Sequence, residues 1–206
     1  MRYTAIVHTF TEAAQHGPQE VGREVLRLVS LNDSHHGVAP GLVLPADYEE
    51  QFYRNNNLPE QLRSLFSPIN PRRVDEDALE VLCLKAEALV RASYLLDDDV
   101  QRFYRALSAA ALNEGRLHVR RDEGSDVEEA RVTPPGTQAL IALKKLWSRD
   151  WTFDAVLERL DAQGSVAIDG RASLIFAGGA GQPDERLAAQ LGWSRVLVNE
   201  FGVVGA

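Results

Sequence analysis

The chain has 206 residues, is 45% hydrophobic and 25% charged, and carries a formal net charge of -8. The length suits one large domain or two small ones with a sizeable core, and the composition is that of a globular protein rather than a fibrous or disordered one. An acidic balance argues against default binding to nucleic acid or anionic membranes, no stretch is apolar for long enough to span a bilayer, and the single cysteine, Cys83, cannot form an internal disulfide.

The N-terminal stretch MRYTAIVHTFTEAAQHG lacks the apolar run of a signal peptide. Together with the absence of a cysteine framework, this predicts a cytoplasmic location. Residues 3–10 are rich in β-branched and aromatic types and predict a strand. A helical turn over 11–16 stops at Gly17-Pro18. Residues 18–31 place Val21, Val25, Leu28 and Val29 on one helical face, with Pro18 near the start. A polar loop over 32–40 leads to a short strand at 41–45 and a helix at 46–54. Asparagines and Pro59 break the chain, a short helix carries Leu62, Leu65 and Phe66, and 67–73 is a proline-punctuated linker.

The next stretch, 78–96, is the most apolar helix in the chain. Leu79, Leu82, Leu89 and Leu96 recur at helical spacings, and Val81, Leu84, Ala88 and Tyr94 carry the apolar belt most of the way round. A helix apolar on most faces is expected to be buried on most faces, which predicts a place in mid-core. Asp75, Glu76 and Asp77 suit its N-terminal dipole, and Asp97-Asp98-Asp99 ends it and is expected to cap a second helix over 98–113. Residues 116–121 alternate, with Leu117 and Val119 on one face. A charged loop at 122–129 and a return strand at 130–134 follow. Helices are predicted at 137–147 and 152–163. Asp169-Gly170 between two apolar runs predicts a hairpin over 165–176. A glycine-rich loop at 178–182, a helix at 183–192 and a last strand at 194–204 complete the chain.

The expected fold is therefore mixed α+β. A helix-rich centre follows the element order of a winged-helix unit, with short strands at the N-terminus and a hairpin–helix–strand unit at the C-terminus. The segments are 1–57, 58–135 and 136–206, which can pack as one compact domain.

Four groups of residues bear on function. Gly178, Gly179 and Gly181, followed by a helix, a strand and Glu200, stand in the order of a dinucleotide-binding unit. Glycines there admit a phosphate, and an acid at that offset holds a ribose. Asp184 and Glu185 stand where the fingerprint has its third glycine and where a phosphate would sit. FAGGAG followed by LAAQLGWSRVLV, residues 176–198, also resembles a phosphate-loop segment of hydantoinase/oxoprolinase-type ATP-binding proteins, which implies nucleotide binding at these glycines. The glycine–threonine phosphate motif near the N-terminus of that family is absent from this chain. The plainer reading of the loop is a structural turn.

The second group is His35-His36 with Asp33 in the polar loop. No other histidine lies at ligand spacing from the pair, so no metal site is expected. The third is a basic run. Arg102, Arg105, Arg116, Arg120 and Arg121 face one acid, Glu114, between residues 100 and 121, where a winged-helix unit would contact phosphates. Asp122, Glu123, Asp126, Glu128 and Glu129 follow at once and could neutralise them. The fourth is the aromatic set Phe52, Tyr53, Trp147, Trp151 and Trp193, placed for a core edge or an interface.

No catalytic motif and no cofactor is indicated. The expected function is a non-catalytic interaction or regulatory subunit, associating with a protein partner or with itself, and with nucleic acid through the central unit. The alternative is a nucleotide-binding enzyme, or a subunit of one, that uses the glycine loop.

Overall fold

The computed structural model describes residues 6–33 and 37–205, so the His35-His36 pair lies outside the described residues. The chain opens with β1 (His8–Thr9), α1 (Phe10–Ala13), α2 (Pro18–Val21), α3 (Arg23–Asp33) and β2 (Gly41–Leu44). A helical middle follows: α4 (Ala46–Asn55), α5 (Leu58–Phe66), α6 (Glu76–Ala92) and α7 (Asp97–Ala109). Next come β3 (Gly115–Arg121), β4 (Val127–Val132), α8 (Thr137–Ser148), a 3-10 turn at Arg149–Trp151 and α9 (Phe153–Gln163). The chain closes with β5 (Ser173–Ala177), β6 (Gln182–Pro183), α10 (Glu185–Leu191), β7 (Leu197–Asn199) and β8 (Gly202–Gly205). The fold is α+β.

Side-chain alternation decides how the main sheet is buried. Its order is β1-β2-β5-β3-β4, antiparallel throughout. Leu42, Leu44, Leu117, Val119, Ile175 and Ala177 point to one face and join the larger core, which α4–α9 supply with Phe52, Phe103, Leu143 and Trp147. Val43, Leu174 and Phe176 point to the other face, where Val25 and Leu28 of α3 and Val203 and Val204 of β8 complete a second core. Strands covered on both faces read as near-continuous apolar runs, which is how GLVL and SLIFA read.

Several expectations change. The strand predicted over 3–10 gives way to helix at Phe10, because Thr9 and Glu12 form a reciprocal capping box: Glu12 N donates to Thr9 Oγ1 at 3.3 Å and Thr9 N to Glu12 Oε2 at 2.8 Å. The helix predicted over 18–31 is split at Gly22, whose φ of +93° no helical residue adopts. Asp97 lies inside the first turn of α7 rather than capping it; the N-cap is Leu96.

The hairpin predicted around Asp169-Gly170 does not form. Residues 165–172 are irregular, and β5 pairs with β2 and β3 instead. A hairpin does form further on, after β6 and α10, as β7 and β8 of a small sheet ordered β6-β7-β8. The central hairpin is no free wing either, because β3 is paired along both edges, with β4 and β5.

The largest correction concerns α6. Leu79, Cys83, Ala86 and Val90 form its buried seam, against α5, α8, α9 and the 3-10 turn. Those neighbours all lie on one side. Val81 and Leu84 on the other side are exposed, Leu84 by 60%. The aromatics take the core alternative: Phe52, Tyr53, Trp147 and Trp151 are buried, and Trp193 packs against the second core. Trp147 Nε1 donates to Ser173 Oγ at 3.1 Å and Trp151 Nε1 to the Tyr53 hydroxyl at 2.8 Å. Among the described residues no helix is long and apolar enough to cross a membrane.

Candidate functional site

The five arginines of the basic run do not form one surface. Strand alternation turns Arg120 and Arg121 to opposite faces of β3, and both faces are covered, leaving the two residues 3% and 4% exposed. Arg120 meets Glu24 of α3 end-on, with Nη2 donating to Glu24 Oε1 at 2.7 Å and to the Val204 carbonyl at 2.6 Å. Its guanidinium also lies over the Phe176 ring, 5.2 Å from the centroid. Arg121 makes the mirror arrangement with Glu49 of α4, two hydrogen bonds of 2.6 Å each, and also reaches Asp150 and Ser173.

The next residue continues the pattern. Asp122 accepts from the backbone N–H of Arg23 at 3.0 Å and Glu24 at 3.1 Å, which caps α3. The reading of Arg120 and Arg121 as phosphate contacts does not fit this placement: they are internal ties between layers. The sequence missed this because their partners lie far along the chain.

The other three stay near the surface. Arg102 is half-buried and pairs with Asp99 one turn earlier; Arg105 is exposed and its Nε donates to the Gln101 carbonyl. Arg116 is exposed and bonds Glu129 across the β3–β4 pair at 2.8 Å, as the acidic return segment made possible.

The glycine loop does not join its strand to a helix as its order suggests. Gly178–Gly181 leads into β6, not into a helix, and α10 is capped by its own Asp184, whose Oδ1 accepts from Leu187 N at 2.8 Å. Gly178 has a φ of +81°, and a Cβ there would stand 2.7 Å from Asn199 Nδ2 and 2.8 Å from Glu200 Oε1. Asn199 Nδ2 in turn donates to the carbonyls of Ala177 and Gly179. The glycines therefore let the loop pass tightly under the β7–β8 turn.

The loop and Glu200 do come together. They line an open recess of about 420 Å³ with Arg116 and Glu129. Ala180 N points at Glu129 from 3.4 Å. The recess carries Glu129 and Glu200 against Arg116, a charge balance that does not favour a phosphate. His118, beneath the loop, is fully buried, stacks on Phe176 at 5.1 Å and hydrogen-bonds the Gly178 carbonyl through Nδ1 at 3.2 Å.

One grouping escaped the sequence. The capped turn of α1 and the reversal at Gly17-Pro18 carry His16 back onto His8, ring centroids 4.1 Å apart, with Glu20 of α2 between them. The available signal was His16 and Glu20 four residues apart beside a Pro helix start; His8 carried none. Burial, and then His16, hold the His8 imidazole below its usual pKa.

Comparison of the chain with known family models and with curated proteins finds no match.

Proposed function

We propose that the protein is a non-catalytic interaction module that pairs with a second copy of itself through the outer face of α6. The observation that carries this reading is the exposed apolar face itself. Val81, Leu84 and Ala88 follow one another at helical spacing on its solvent side. Tyr94, 78% exposed, and Leu96 extend the face beyond the helix end. Contiguous exposed apolar surface of this kind is typical of an interaction site.

Charge selects the occupant. The N-terminal half of the face is rimmed by Asp75, Glu76, Asp77 and Glu80. The C-terminal half of the helix carries Lys85 and Arg91, with Glu87 engaged by Arg91, and the exposed Asp97 and Asp98 follow only beyond the helix end. An antiparallel two-fold pairing of α6 against α6 sets the acidic end of each copy on the basic end of the other, which is what an isologous interface requires. The helix has 17 residues and is about 25 Å long, so the contact falls at the small end of specific interfaces, and micromolar association is expected.

Sedimentation or light scattering from low to high micromolar concentration tests this. A dimer that Leu84→Glu returns to monomer, with an unchanged circular dichroism spectrum, is the expected result. A chain that stays monomeric throughout that range overturns it.

The nucleic-acid form of an interaction role would rest on Arg102, Arg105 and Arg116, each with a partner within the chain. The nucleotide-enzyme form would rest on the recess at Gly178–Gly181. Neither has an observation comparable to the α6 face in its favour. A lone buried thiol at Cys83 suits a reducing compartment such as the cytoplasm.

A further inference from the structure

We infer that His8, His16 and Glu20 form a binding site for a zinc-class divalent cation. This goes beyond the self-association reading and does not depend on it. The three residues offer two imidazole nitrogens and a carboxylate oxygen, all within 4.8 Å of one another. Glu20 Oε1 stands 3.0 Å from His16 Nδ1 and 3.9 Å from His8 Nε2. A tetrahedral ion with bonds of about 2.0–2.1 Å separates its ligands by about 3.4 Å. The two edges to Glu20 bracket that value and the edge between the two imidazoles is at most 4.8 Å, so side-chain rotation of the exposed Glu20 and the partly open His16 is what would close the shell. Two histidines and one carboxylate are also the donor set of many three-ligand zinc sites that leave a further position open.

The surroundings favour a dication. Asp47, in the first turn of α4, lies close enough for Glu20 and His8 to act on its carboxyl, but it is not one of the three groups whose ligand atoms lie within 4.8 Å of one another. Its Oδ1 is buried and has no hydrogen-bond partner among the described residues. A buried polar atom without a partner is costly and calls for an explanation such as an ion or a bound water. Arg54 acts on Asp47 more weakly than Glu20 does. Glu12, held to Thr9 in the capping box, adds a third carboxylate near the two rings.

The ligands are also held in place. His8 sits in β1, registered against Val43 of β2, and Glu20 lies in a helical turn that begins at Pro18. His16 and Glu20 remain partly open to solvent, which gives an ion its route in. A bound ion would tie the edge strand of the main sheet to the start of the α2–α3 layer. Magnesium, which prefers oxygen ligands and keeps its waters, is a poor match for this set.

The test is calorimetric titration of the full chain with zinc chloride after chelator treatment and dialysis, with magnesium chloride in parallel. One zinc per chain with a rise in melting temperature, and no response to magnesium, is expected. His16→Ala and Glu20→Gln should each weaken zinc binding about tenfold or more, while leaving the metal-free melting temperature close to that of the parent. Glu20 is half-exposed, so Glu20→Gln keeps the fold should His16→Ala disturb it. A His35→Ala/His36→Ala variant should bind as the parent does. Absence of zinc binding, binding indifferent to both His16→Ala and Glu20→Gln, or binding lost with the His35/His36 pair would each overturn the assignment.

Discussion

His118 occupies the centre of β3 without solvent contact, between Phe176 and the Gly178 carbonyl. A carbonyl can only accept, so Nδ1 carries a proton. Its Nε2 is buried with no partner among the described residues. Protonating it would place an unpaired charge in the sheet beside the Arg120 guanidinium. Burial, with Arg120 adding to it and the Gly178 hydrogen bond opposing it, accordingly lowers the pKa from 6.5 to about 4. Between those values the unfolded chain takes up a proton that the folded one refuses. The stability attached to this residue is therefore complete above pH 6.5 and is lost as the pH falls towards 4. The loss amounts to about 3 kcal/mol at most. Urea unfolding of the parent and of His118→Phe, which keeps a ring on Phe176, should give stabilities whose difference changes by about that amount between pH 7 and pH 4. A pH-independent difference would show that the ring takes up its proton in the folded state as readily as in water. Nothing in the sequence announced this histidine: its neighbour Phe176 and its acceptor Gly178 belong to a strand and loop some sixty positions away, as the hydrogen bond from residue 118 to 178 records.

At the scale of elements, α6 separates what periodicity can reveal from what it cannot. The apolar pattern identified the helix, and Asp75 caps it through Ala78 N at 3.1 Å, in keeping with the acidic start. The pattern was too nearly uniform to say which side faces inward, since leucine or valine occupies almost every azimuth. Tertiary neighbours choose the Leu79–Cys83–Ala86–Val90 seam and leave Leu82 and Leu89 half-buried at its margins. Leu79→Ala should cost about 2–5 kcal/mol, as for other large core truncations. Leu84→Ala should change the stability of the monomer by less than about 0.5 kcal/mol. Denaturant unfolding at a low concentration of protein checks both, and similar losses at the two positions would mean that the outer face is covered. The hairpin at Asp169-Gly170 failed for a related reason. A turn dipeptide is a local signal, but β5 has better partners in β2 and β3, whose apolar residues lie on both faces of the sheet and match its own.

The whole molecule places the main sheet between two layers of unequal thickness, one from α4–α9 and one from α1–α3, α10 and the small sheet. The α+β class and most helices were legible because each follows from a pattern a dozen residues long. The second layer was not. The alternation of residues 116–121 indicated an apolar face and a polar one, and a polar face reads as solvent unless its partners are known. Glu24 supplies the partner of Arg120 on that face from 96 residues away, and Glu49 supplies that of Arg121, an arginine on the apolar face, from 72. The same limit hid the histidine grouping, which exists only once the chain has reversed at Gly17-Pro18.

Arg120 and Arg121 are neighbours in the chain, yet each is anchored in a different layer, the first to α3 and the second to α4. Neither layer can lift away without stranding a buried guanidinium beside its carboxylate's former place, and the backbone passes that penalty directly to the other layer. The two halves of the molecule should therefore open together. Native-state hydrogen exchange should report one cooperative unit, with the slowest amides of α3 and of α8 sharing a single opening free energy. Arg121→Ala, which removes the ties to Glu49 and Asp150 on the helical side and leaves Arg120–Glu24 in place, should lower that shared value by about 3–5 kcal/mol in both helices alike. Separate opening energies for α3 and α8, or a loss confined to the helical side, would mean that the sheet joins two units that breathe independently.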